Sequence, residues 1–290
     1  MTGGFLERLA ARSAATGTVL CLGLDPDPAA LPAGFAADAR GIEAFSRLVV
    51  EACLPHVAAV KANLAFFEAF GRDGIAALER VRGSVPPDVP FIADAKRGDI
   101  GSTAARQAVA LYDRLAADAI TASPYLGSEA IEPLLERTDR FVYVLCRTSN
   151  PGAGELQDLV VAAADDAPSE PLFERVARRV TAWGPGRTVG LVVGATAPEE
   201  MARVRAVAPG LAFLVPGVGA QGGATEPVLR HGPATAPPAG DGRAGGLLVN
   251  VSRGIAGAAT AGPGASGPGD PGEALARAAA DWAERLPVLP

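Results

Sequence analysis

The sequence predicts an α/β fold, a (β/α)8 barrel forming a single domain over residues 1–290, on three observations. Eight short runs of aliphatic and β-branched residues recur along the chain. Stretches with helical spacing separate them. Polar residues and glycines collect just after the apolar runs, where a barrel of this kind places its chemistry. The runs are apolar throughout, as parallel strands buried on both faces must be. A doubly wound open sheet shares the alternation, and periodicity alone leaves it open.

The elements follow in order. MTGGFLERLAARSAATG reads as an amphipathic helix with Phe5, Leu6 and Leu9 on one side. It lacks the apolar core of a secretory leader, and no run is long enough to span a bilayer. A soluble cytoplasmic protein is expected. The predicted strands are Thr18–Leu24, Val57–Val60, Phe91–Ala93, Ala119–Ala122, Phe141–Leu145, Val189–Val193, Ala212–Val215 and Leu247–Val251. Helical spacing marks Ile42–Cys53, Gly74–Arg82, Thr103–Leu115, Ser128–Glu136, Leu172–Trp183 and Pro198–Val207. Leu156–Pro171 reads as an insertion, partly helical. Two further stretches, 232–246 and 257–272, hold much of the excess glycine and proline. They carry few large apolar residues, so flexible surface insertions are expected there.

Composition narrows the function. The 290 residues are 49% hydrophobic, enough for a large core. A net charge of −6 argues against a nucleic-acid partner. Cys21, Cys53 and Cys146 show no paired or metal-ligand spacing, and His56 and His231 are far apart, so a His/Cys metal site is disfavoured.

The chemistry-bearing stretch is PFIADAKRGDIGSTA, Pro90 to Ala104. Asp94 and Lys96 are two apart and share a strand face, while Arg97 points away. Gly98 turns the chain, and Asp99 follows on a loop. A solvated turn would also carry charges. Charges on the inward face of a buried strand, however, are costly unless paired. A lysine held between carboxylates is therefore the sharper reading. Other strand ends add donors and acceptors: Asp25 in LGLDPDP, Lys61 and Asn63 in VKANLAFFEAFG, and Ser149 and Asn150 in CRTSNPGAGELQ. Ser123-Pro124 in TASPYLG reads as a turn. FLVPGVGAQGG supplies Pro216, Gln221, Gly222 and a glycine-rich backbone that a ligand can approach closely. LLVNVSRGI adds Ser252 and Arg253. Loops after the last two strands of a barrel commonly form a phosphate site.

Taken together, LGLDPD, KANLAFFEAFG, DAKRGDIGSTA, CRTSNPGA, VPGVGAQGG and VNVSRGI resemble the orotidine 5′-phosphate decarboxylase family. The resemblance is to the bacterial subfamily with the CRTSNPGA motif and runs from about Thr18 to Ile255. It implies a homodimeric barrel that makes UMP from orotidine 5′-phosphate in pyrimidine biosynthesis, with no metal or organic cofactor. It also implies roles. Lys96 donates the proton to C6 of the pyrimidine, and Asp94 faces the departing carboxylate. Lys61 holds the Asp94 side of the array and the ribose, and Asp25 binds a ribose hydroxyl. Asp99 and Thr103 reach into the neighbouring subunit's site. Ser149 contacts the pyrimidine, and Gln221 and Arg253 the phosphate. Asn63, Asn150, Pro216, Gly222 and Ser252 complete the expected substrate contacts.

Two rivals remain. Sugar-phosphate decarboxylases and synthases of the same superfamily share D-x-K-x-x-D but use Mg²⁺, and resemble one another in an acidic metal ligand near the end of the second strand. Lys61 stands at that position here and would repel a cation. A phosphate-binding barrel without catalysis would be expected to lack the lysine–carboxylate array.

Overall fold

Eight apolar runs too short to be helices pair side by side and close on themselves. The computed structural model describes residues 3–163, 168–184, 188–236, 246–260 and 270–289. Among these, the barrel strands are β1 (Leu20–Leu24), β2 (Ala59–Asn63), β3 (Phe91–Arg97), β4 (Ala119–Ala122), β5 (Phe141–Arg147), β6 (Val189–Val193), β7 (Ala212–Val215) and β8 (Leu247–Val251). Each pairs in parallel with its neighbour in sequence, and β8 returns to β1 with Leu20 opposite Val249. That closure decides against the open sheet.

Three strands run past their expected ends. β2 extends to Asn63, β3 to Arg97 and β5 to Arg147. Lys61 therefore lies inside β2 rather than just after it. The sequence reading stopped each strand near its first charged residue, because an unpaired buried charge is costly. Here the charges are paired, and the ladder continues through them.

Apolar packing lies both inside the barrel and between the barrel and its helices. Inside, Cys21, Ile92, Phe141, Tyr143 and Leu214 form one cluster with Phe5, Leu6 and Leu9 of the first helix, Phe5–Thr16. Phe5 stacks on Phe141 with centroids 4.9 Å apart and meets Tyr143 edge-on. Phe141 begins its strand, so this helix plugs the N-terminal mouth. Asp118, just before β4, locks the same end. Its carboxylate accepts from Phe91 N–H at 2.9 Å, from Arg8 at 2.7 Å and from Arg140 at 3.2 Å. The C-terminal mouth is left open.

Outside, helices Ala39–Cys53, Gly71–Gly83, Gly101–Ala108, Leu172–Val180 and Pro198–Val207 cover the strands. Asp38 caps the first of these by accepting from the N–H groups of Arg40 and Gly41. Helix Gly101–Ala108 continues as a turn of π geometry over Val109–Arg114, so the expected helix at Thr103–Leu115 changes winding midway. The expected helix at 128–136 is two short pieces, Ser128–Ala130 and Glu132–Leu135. Leu156–Pro171 is entered by a short helix, Gly154–Gln157, and closed by a two-residue ribbon pairing Val160–Val161 with Glu170–Pro171.

The chain ends in a helix the sequence reading did not anticipate, Pro271–Arg285, capped by Asp270 and burying Leu275, Ala279 and Trp282. The second Gly/Pro-rich stretch is thus regular at both ends: Gly257–Ala259 is a 3-10 turn, and Pro271 and Gly272 begin the helix. The middles of the two stretches, 237–245 and 261–269, lie outside the described residues. No described helix is long and apolar enough to cross a membrane.

Candidate active site

The ends of the strands converge on a cavity of about 510 Å³ in the open mouth. Its chemistry is concentrated on β3. Ala93 pairs with Ile120 and Arg97 with Ala122, so Asp94, Ala95 and Lys96 face Thr121 across one bulge. Lys96 adopts φ +47°, a left-handed conformation unusual for a residue with a Cβ. Asp94 and Lys96 do meet, but through this bulge and not through regular strand alternation. Arg97 turns outward to pair with Glu68.

The Asp94 carboxylate sits between two ammonium groups. Lys61 Nζ is 2.9 Å from its Oδ2, and Lys96 Nζ is 2.7 Å from its Oδ1. Thr121 Oγ1 donates to the same Oδ1 at 2.9 Å. Lys61 is buried, whereas the Lys96 side chain is half exposed at 50% and faces the cavity. Burial by itself would raise the Asp94 carboxyl; the Lys61 and Lys96 charges override it and hold Asp94 well below the usual carboxylate range. Burial would likewise strip Lys61 of its proton, but Asp94 and then Asp25 keep it charged above the usual lysine range. Asp25 Oδ1 lies 3.9 Å from Lys61 Nζ and accepts no hydrogen bond among the described residues. The array therefore presents an ammonium, backed by a carboxylate, beside the Asp25 carboxylate, which also lines the cavity.

The opposite wall is apolar, formed by Leu145, Val192, Leu214 and Pro216. Two loops approach each other above it. Ser149 Oγ donates to Gln221 Oε1 at 2.8 Å, linking the segment after β5 to the glycine-rich loop after β7. Gly217, at φ +97°, lies under this contact, and a Cβ there would stand 2.9 Å from both Gln221 Oε1 and Ser149 Cβ. Arg253 opens the turn after β8 with its side chain on the cavity. The cavity thus joins an apolar wall, the charged array and the cationic Arg253.

Of the residues expected from sequence, Asp25, Lys61, Asn63, Asp94, Lys96, Ser149, Asn150, Pro216, Gln221, Ser252 and Arg253 line this cavity. Asp99, Thr103 and Gly222 do not. Asp99 is on the loop beyond β3, where its Oδ1 accepts the Ile100 N–H at 2.8 Å. Thr103 is exposed on helix Gly101–Ala108. Gly222 closes a tight turn at φ +88°, its N–H bonded to Gly219 O.

Sequence reasoning missed Thr121, Thr148, Gln157 and Asn250, which also line the cavity. Thr121 and Asn250 sit inside strand runs and read there as filler, although a polar residue near a barrel strand's C-terminal end was signal enough. Gln157 accepts from Thr148 N–H and donates to Thr148 Oγ1, both at 2.8 Å. Nothing in its sequence context marks that clasp. Burial pushes the Cys21 and Cys53 thiols up to about 12 and Cys146 higher still, so none of the three is a ready nucleophile. Among the described residues no group of three His, Cys, Asp or Glu side chains is gathered to hold a metal ion.

The chain matches the model of the Orotidine 5'-phosphate decarboxylase / HUMPS family over residues 18–265. It is similar to an orotidine 5′-phosphate decarboxylase of Thermomicrobium roseum, 49% identical over 254 residues, which cover 87% of this chain and 86% of that protein. Among solved structures, the Leishmania donovani OMP decarboxylase aligns with a TM-score of 0.78 at 38% identity, covering 97% of this chain and 98% of that one. The Leishmania donovani UMP synthase aligns at 0.80 and 40% identity, covering 98% of this chain. This chain spans only 56% of that longer protein.

The array makes stability depend on pH in a defined direction. The folded Asp94 pKa is depressed, so its contribution is full above the unfolded value of about 3.9 and is lost as pH falls towards the folded value. Lys61 has the opposite sign: its contribution is full below about 10.4 and is lost as pH rises through the raised folded value. In urea unfolding, the parent should exceed Asp94→Asn in stability by a near-constant amount around neutrality. That margin should shrink progressively below about pH 4. A margin unchanged down to about pH 2 would mean that Asp94 is not held ionised by its neighbours.

Proposed function

Because the chain belongs to the orotidine 5′-phosphate decarboxylase / HUMPS family, we propose that it converts orotidine 5′-phosphate to UMP and CO₂ in pyrimidine biosynthesis. The observation that carries this reading is the Lys61–Asp94–Lys96 array, standing in a cavity that Arg253 also lines.

The reaction explains why such an array is needed. The bond from C6 to the carboxylate carbon breaks, CO₂ leaves, and the electron pair stays on a ring carbon. Lowering that barrier calls for stabilisation on the order of 20 kcal/mol. The Lys96 ammonium meets the developing charge at C6 and then delivers its proton there. Asp94 keeps Lys96 charged and aimed. Lys61, too buried to approach the reacting carbon freely, balances Asp94. Asp25, on the cavity wall, takes a ribose hydroxyl, Ser149 addresses the pyrimidine, and Gln221 with Arg253 takes the phosphate. Binding at the phosphate, remote from C6, holds the two loops closed and contributes to the chemical step. Lys61 stands where the Mg²⁺-dependent rivals carry an acid, which supports the decarboxylase.

The direct test is the loss of absorbance when the protein meets orotidine 5′-phosphate in the presence of EDTA. Turnover should persist. Arg253→Ala should lower kcat/KM by about 100-fold or more for the phosphate, and far less for orotidine, which has none. Absence of turnover by the parent protein would reject the reading, and equal losses on both substrates would remove Arg253 from the phosphate.

The protein acts, on this reading, as a cytoplasmic homodimer with shared sites. Asp99 and Thr103 miss their own cavity, and the loops beside them expose Ile100, Tyr125 and Leu126. Such an apolar patch is suited to a second copy. Mixing inactive Lys96→Ala and Asp99→Ala proteins should then restore about a quarter of parental activity, because about half the dimers are mixed and each holds one intact site. No recovery after mass spectrometry has confirmed exchange would reject the shared-site reading.

A further inference from the structure

We propose that Thr121 is a positioning residue for proton delivery by Lys96, a role that rests on the reading of the site given above. The observation is a polar chain of fixed direction. Lys96 N–H donates to Thr121 Oγ1 at 2.9 Å, and Thr121 Oγ1 donates to Asp94 Oδ1 at 2.9 Å. A hydroxyl has one proton to give, and an ionised carboxylate only accepts, so the sense of both bonds is settled. The same Oδ1 accepts from Lys96 Nζ at 2.7 Å. One buried side chain thus holds the backbone of Lys96 and the carboxylate on which its ammonium rests.

The bulge explains why this is needed. In a regular ladder the Lys96 N–H would bond to the neighbouring strand's backbone. Across the bulge, three β3 residues face Thr121, and the register resumes only at Arg97. The hydroxyl supplies the acceptor that the ladder does not. It also secures a left-handed φ of +47°, which persists only where surrounding contacts enforce it. Lysine has a long, flexible stem, and half of this one is exposed. Its Nζ is located by two anchors, its own backbone and Asp94, and Thr121 touches both. The groups assigned to ribose, pyrimidine and phosphate come from other strand ends. Losing the hydroxyl should therefore disturb the proton donor more than the binding.

The test compares Thr121→Val, which keeps the branched shape and removes both bonds, with Thr121→Ser, which keeps the hydroxyl. For each, kcat and KM for orotidine 5′-phosphate are measured, together with UMP affinity by calorimetry, which also reports a folded site. Thr121→Val should lower kcat about 10- to 100-fold while KM and UMP affinity stay within about threefold of the parent. Thr121→Ser should keep kcat within about threefold. If the valine variant does not fold, Thr121→Ala is expected to show the same division. A parental kcat in a variant without the hydroxyl overturns the role, as does weakened UMP binding that accounts for the loss, or a serine variant as impaired as valine. A parent protein that does not turn over at all would overturn the functional reading and this role with it. A normal parent beside an unaffected valine variant overturns this role alone.

Discussion

A lysine buried at the top of a barrel strand must have a counter-charge, and much of this site follows from that requirement. Lys61 is 4% exposed, and an isolated ammonium there would lose its proton. Asp94 keeps it charged, and Lys61 in turn keeps Asp94 ionised. Removing Asp94 would leave Lys61 only the more distant Asp25, at 3.9 Å, and removing Lys61 would leave Asp94 only the half-exposed Lys96 as counter-charge. The pair also fixes a carboxylate at the rim, to which a second, more exposed lysine is fastened. The half-exposed Lys96 is the group able to meet a substrate, and its position is inherited from the buried pair beneath it.

The remaining architecture keeps this arrangement at one end of the barrel. The first helix closes the N-terminal mouth with Phe5, Leu6 and Leu9, so the polar end is the one that opens. At that end, close backbone approach depends on small residues. A Cβ on Gly23 of β1 would fall 1.8 Å from Ser252 Oγ, so that residue cannot grow without displacing the Ser252 side chain beside Arg253. From outside, Trp282 of the last helix donates its indole N–H to Gly254 O at 3.3 Å and packs within 3.0 Å of where a Cβ on Gly219 would lie. One side chain thereby braces the loops after both β7 and β8, the two that meet the phosphate on the proposed reading.

How much of this was legible depends on whether a residue's role is set locally. The strands were legible, because burial on both faces leaves only apolar residues, and so were Asp94 and Lys96, because charges in such a run demand partners. The strand ends were not, since a paired charge extends a strand that an unpaired one would stop. Thr121 was hidden for a related reason: threonine is ordinary in a strand, and its hydroxyl matters only because a bulge forms on the neighbouring strand. The last helix was overlooked although Asp270-Pro271 and the spacing of Leu275, Ala279 and Trp282 marked it. The glycine-rich stretch before it drew the boundary too late. Gln157 carries no local signal at all, because its clasp on Thr148 arises from how the segment after β5 folds back.

On the proposed reading, a positive charge at the end of the residue 96 side chain does the chemistry. Lys96→Cys, treated with 2-bromoethylamine, restores an ammonium at nearly the native length, and the three native thiols are buried with raised pKa values that spare them. The variant should be inactive towards orotidine 5′-phosphate, recover turnover on aminoethylation, and stay inactive after iodoacetamide, which adds a neutral amide instead. Equal rates with the two reagents, or no recovery once mass spectrometry confirms the alkylated thiol, would contradict that reading.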